Sequence, residues 1–135
     1  MRSTVHGALF AVIGLLLAAV PVLAHHSTAA EFDQSTTVKV TGVLTQVDWI
    51  NPHIYWYVDA KDESGKTVTW SFEGLPPGVL HRGGVTKDML KLGETVTVTA
   101  WPAKDHTKNL GFGKGVKYAD GHEVVMTTPE LASRP

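Results

Sequence analysis

The run from Thr67 to Glu73 alternates strictly between polar and apolar residues, and no other segment constrains the chain so tightly. Val68, Trp70 and Phe72 share one side, whereas Thr67, Thr69, Ser71 and Glu73 share the other. A period of two belongs to a β-strand with one buried face. Residues 54–60 repeat the pattern, with Ile54, Trp56 and Val58 inward and Tyr55, Tyr57 and Asp59 outward. Between the two runs, Asp62-Glu63-Ser64-Gly65 reads as a turn, because glycine accepts positive φ.

The rest of the chain extends this β reading. Residues 37–49 are rich in β-branched side chains. Val38 and Val40 share one parity and Val43, Val47 and Trp49 the other, which predicts a bulge or bend beside Gly42. Asn51-Pro52 ends that strand. Residues 75–84 carry prolines and glycines and predict a loop with at most one helical turn. Thr86 can cap a short helix over 87–92 that Gly93 stops. Residues 95–101 alternate again, as a fourth strand. The polar, glycine-rich stretch 102–115 reads as a mobile excursion, and residues 116–126 as a closing hairpin around Asp120-Gly121. The expected fold class is all-β, mainly antiparallel: a small OB-like β-barrel with one short helix. A plain antiparallel sandwich or roll fits the same periodicities. The domain is expected over residues 37–127, after an N-terminal arm at 25–36 and before a flexible tail at 128–135.

Upstream, Arg2 and an apolar run over residues 7–24 end in Val22 and Ala24, the small −3 and −1 residues of a secretory cleavage site. An uncleaved anchor is the alternative, but a run of this length is at the lower limit for crossing a bilayer. Pro21 and the polar residues that follow favour removal, predicting a periplasmic or secreted protein with no stable membrane insertion after cleavage. The chain has no cysteine, which excludes disulfides, thiolate metal sites and a lipidated cysteine. Loss of Arg2 leaves 11 of the 12 basic residues against 13 acidic ones, and no basic block occurs. Nucleic-acid and anionic-membrane partners are therefore disfavoured.

Cleavage after Ala24 would make His25 the first residue, with an imidazole and a free α-amine. Two nitrogens from His25 and one further imidazole form a T-shaped three-nitrogen set that suits copper. His53, beside Pro52, is the preferred third ligand. His26 has difficulty turning onto the same metal. Equally, His25 and His26 can be solvent-exposed residues of a flexible arm. Asn51 and His53 can be turn residues, with Asn51 capping and His53 bonding a carbonyl. His81-Arg82 beside Gly83 and Gly84 can bind an anion or be a solvated loop, and His106 and His122 read as bystanders. Tyr55 and Tyr57, opposite Trp56, are candidate ligand-binding residues with Asn51 and His53. Trp56, Trp70 and Phe72 read as core. No serine lies in a nucleophile elbow, and no carboxylate pair is placed by sequence, so no enzyme is indicated.

The segments Ala24-His25-His26-Ser27, Ala30-Glu31-Phe32-Asp33, Gly42-Val43, Val47-Asp48-Trp49, Asn51-Pro52-His53 and Leu92-Gly93-Glu94 resemble a family. It is an uncharacterised group of small exported bacterial proteins with a mature His-His start and a W-x-N-P-H segment. The resemblance spans nearly all of residues 24–126 and implies an exported β-domain of no established activity. The expected function is an exported, non-catalytic binding or accessory module for an unknown small molecule, metal or periplasmic protein. The alternative is a copper-binding or copper-dependent redox protein using His25 with His53.

Overall fold

In the computed structural model, residues 27–107 and 109–129 are described. The predicted signal segment, His25 and His26 lie outside them, as does the end of the tail. Six strands form: β1 (Val38–Asp48), β2 (Tyr55–Lys61), β3 (Thr67–Glu73), β4 (Thr95–Pro102), β5 (Leu110–Tyr118) and β6 (Glu123–Val125). Helix α1 (Thr28–Glu31) precedes them, and α2 (Pro77–Arg82) with a 3-10 turn (Lys87–Met89) joins β3 to β4. No helix among the described residues is long and apolar enough to cross a membrane.

The sheet order is β3-β2-β1-β4-β5-β6, and a parallel β3–β5 pairing closes the first five strands into a mixed barrel. Antiparallel pairing elsewhere, and a helix between β3 and β4, complete an OB-like architecture. Strand β1 serves two neighbours. Its first half pairs with β4 and its second with β2, and Gly42 sits in both registers. A side chain at Gly42 would overlap the Asp59 carbonyl, so glycine permits the close approach.

The bulge expected beside Gly42 lies instead between Leu44 and Gln46. Leu44 is fully buried and Val43 exposed, while Val47 packs on the core, so the inward parity changes at Thr45. Strand β3 has its expected bounds, and Phe72 is buried, although Trp70 is only partly so. The stretch 75–84 holds a six-residue helix, longer than the single turn expected, because Pro77 starts it and Leu80 buries into the barrel end. The helix expected over 87–92 is a 3-10 turn of three residues. The Tyr118 hydroxyl accepts from the Lys91 amide at 3.0 Å and donates to the Met89 carbonyl at 2.7 Å, tying that turn to β5.

The largest correction concerns residues 102–115. They are not a mobile excursion: β5 begins at Leu110 and is the strand that closes the barrel. Its glycines allow close packing. A methyl group at Gly113 would run into the Trp56 ring, and one at Gly111 would lie 3.0 Å from the Trp101 carbonyl oxygen. The arm is also more than polar linker. Phe32 is buried and packs on Phe112, with ring centroids 5.7 Å apart, and it forms a second cluster with Trp101 and Ala103. A register shift between Thr99 and Ala100 in β4 accompanies two consecutive buried residues, Ala100 and Trp101. Ala100 joins the main barrel core, whereas Trp101 joins the cluster beneath the arm.

Candidate functional site

The outward face of β2 and β3 carries the polar half of both alternating runs, and register pairs Tyr55 with Glu73 across it. The Tyr55 hydroxyl donates to Glu73 Oε2 at 3.0 Å. His53 reaches the same carboxylate from the β1–β2 loop, its Nδ1 bonded to Glu73 Oε1. That loop is anchored by buried Ile54, whose carbonyl accepts from the Gly74 amide at 2.9 Å. Anchoring the residue after His53 to the residue after Glu73 keeps the two side chains together. A carboxylate only accepts, so Nδ1 carries the proton, and in the neutral ring the Nε2 lone pair is free. Both oxygens of Glu73 are occupied, and its side chain is only 12% exposed against 31% for His53.

Glu73 also lines a cleft of about 530 Å³ with Ala30, Glu31, Phe32, Lys104 and Asp105, a volume typical of small-ligand sites. One wall is α1 and the other the β4–β5 loop. The Lys104 amide donates to the Glu31 carbonyl at 2.8 Å, the Lys104 ammonium to the Ala29 carbonyl at 2.5 Å, and the Asp33 amide to the Pro102 carbonyl at 2.9 Å. The arm is thus pinned beside Glu73. Carboxylates outnumber cations in this lining, with Glu31, Glu73 and Asp105 against Lys104.

Desolvation, then the Glu73 hydrogen bond and the nearby charges of Glu73 and Glu31, push the Tyr55 hydroxyl up to about 12. Tyr55 remains a donor at neutral pH. Because the folded value exceeds the ordinary 10.0, its contribution to stability is complete below pH 10 and is lost as pH rises to about 12. Tyr57 and Tyr118 are raised too, chiefly by burial, and reinforce that alkaline loss. Tyr55→Phe is therefore expected to flatten part of the fall in urea-unfolding stability between pH 10 and 12. An unchanged alkaline profile would mean that Tyr55 is not held by Glu73.

Of the residues singled out from sequence, His53 and Tyr55 come together. Tyr57 lies further along the same face, and Asn51 is exposed in the loop. His81 is exposed on α2, and His106 is exposed in the β4–β5 loop with φ of 61°. His122 bonds Asp120 at 2.5 Å and stacks on Tyr118 in the β5–β6 hairpin. Sequence reasoning missed Glu73, Glu31 and Lys104. Glu73 left one signal: it is the acidic end of the outward stripe. Among the described residues, no group of three histidine or acidic side chains is placed to hold a metal ion. The candidate ligands His25 and His26 fall outside them.

A family model covers residues 12–112 of the 135, a family of unknown function designated DUF6152. The chain belongs to this family. The matched region includes both His25-His26 and Asn51-Pro52-His53. It also includes β1 to β4 and the β5 segment that pairs with β3. No curated protein and no solved structure matches the chain.

Proposed function

We propose that this DUF6152 protein is an exported, non-catalytic binding module whose ligand, a small cation-bearing molecule, occupies the cleft over Glu73. The observation that carries the reading is a half-enclosed carboxylate, oriented by His53 and Tyr55 in a mainly acidic cleft. The position adds support by fold-level analogy. The β2–β3 face and the β1–β2 and β4–β5 loops are where OB-type barrels generally take ligands. The acidic lining selects against polyanions and for a cation.

A second reading has its own support. The bond from His53 Nδ1 to Glu73 presents Nε2 as a free donor, the arrangement that orients metal-bound histidines. Copper held by His25 and His53 would use that nitrogen. One titration series on the processed full chain separates the readings, with spermidine and Cu(II) as probes and amide shifts as the readout. For the first reading, spermidine perturbs His53, Tyr55, Glu73 and Lys104. Glu73→Gln then weakens it about tenfold or more, as expected for a lost charge-assisted bond. For the second, Cu(II) binding falls with His53→Ala and with one residue added before His25, and is unchanged by His81→Ala. Spermidine shifts away from the cleft, or none, overturn the first reading. Copper binding indifferent to His53 and to the added residue overturns the second.

A further inference from the structure

We propose that the open edge of β6 is a docking site for an extended apolar segment of another protein, carrying an acidic residue at one end, which adds to the sheet as a further strand. Strand β5 gives one edge to β4 and divides the other between β3 at its start and β6 near its end. Where β3 stops at Glu73, β6 takes over that edge, and α2 stands across from β6 instead of another strand. A groove runs between them.

At the end formed by Leu75, Val79 and Leu80 the charged lining residue is Arg82; at the other, Met89 stands among Lys91, Asp88 and Glu123, and Val85 and Val125 are shared by both. Val125 is 52% exposed and Met89 39%, so apolar surface faces the groove.

The backbone specifies the occupant. The Tyr118 amide donates to the His122 carbonyl at 2.9 Å and the Met126 amide to the Lys114 carbonyl at 2.8 Å, which fixes the ladder phase. In an antiparallel pair, hydrogen-bonded and non-bonded positions alternate. Val124 therefore bonds Val116, whereas the amides and carbonyls of Glu123 and Val125 point away from β5. These are the donors and acceptors of an unpaired edge, and an extended chain satisfies them in register. Alternate side chains of that segment would meet the Leu80, Val85 and Met89 wall. Arg82, exposed at the Leu75 end and without an ion pair among the described residues, fits an acidic residue flanking the apolar stretch.

The probe is a fluorescent peptide of alternating valine and threonine with a glutamate at one end, titrated into the full chain with amide shifts as the readout. Saturable binding is expected, with the largest shifts at Glu123 and Val125. Methylating alternate peptide nitrogens should weaken it about tenfold, since each lost backbone bond is worth about 1 kcal/mol. Arg82→Ala should weaken it about two- to fivefold, the scale of an exposed ion pair, and should not affect a peptide with glutamine in place of the glutamate. Absence of saturable binding, shifts away from β6, or indifference to N-methylation overturns the proposal. So does binding only by a chain ending at Pro129, which would show that residues 130–135 fill the groove.

Discussion

Replacing Trp56 with alanine is expected to remove about 3–5 kcal/mol of stability, the range for truncating a buried large aromatic. Trp56 is fully buried and packs on Phe72, with ring centroids 5.9 Å apart. It also lies against the backbones of Gly74 and Gly113, from β3's exit and from β5. Deleting it would therefore open a void on the seam where the barrel closes. Its indole nitrogen has no hydrogen-bond partner, so the loss comes from packing and apolar transfer, and Trp56→Phe should cost distinctly less. Trp70 is only partly buried and stacks on Phe72, so Trp70→Ala should cost less than Trp56→Ala, and Tyr57→Ala less again. Urea unfolding of the variants measures this ranking. Equal losses at Trp56 and Tyr57 would contradict the inward and outward faces of β2.

The second large effect is expected from the smallest change. Gly113→Ala adds one methyl group, but that methyl would occupy space held by the Trp56 ring. Neither side can give way cheaply, since the ring is enclosed and the glycine is paired with Ala100 in β4. Overpacking of this kind costs about 1–3 kcal/mol and occasionally more, and the upper end is expected here. The test is a double-mutant cycle with Trp56→Leu. Gly113→Ala should be much milder in that background, with a coupling of about 1–3 kcal/mol. Additive losses would show that the two positions do not meet.

These two residues also explain what was legible in the sequence and what was not. Strands β2 and β3 were readable because each has one wet face and one dry face, and alternation records that difference directly. Strand β5 was not, because five of its nine residues, Leu110 to Lys114 as Leu-Gly-Phe-Gly-Lys, look like a turn-rich loop. Gly113 is required by the ring of Trp56, which lies far away in the chain, and Gly111 by the neighbouring strand's backbone at Trp101. Phe32 was hidden for a similar reason: a single aromatic in a polar arm has no periodicity, and its partners Trp101 and Phe112 come much later. At the candidate site, His53 and Tyr55 stood out by type and spacing. Glu73 joins them through cross-strand register, which is a property of the pairing and not of either strand alone.

Strand β5 also sets an order of completion. It is the only described strand that meets both β3 and β4, the two free edges of the four-stranded sheet formed by β1 to β4. A chain synthesised as far as Pro102 has four strands and no barrel, with two bare edges able to pair with other molecules. Closure waits for a strand that follows all four of these in the chain. Trimming the chain back through Leu110–Tyr118 would thus not yield a shorter barrel but would return an open sheet. The integrity of the whole domain is decided by its fifth strand.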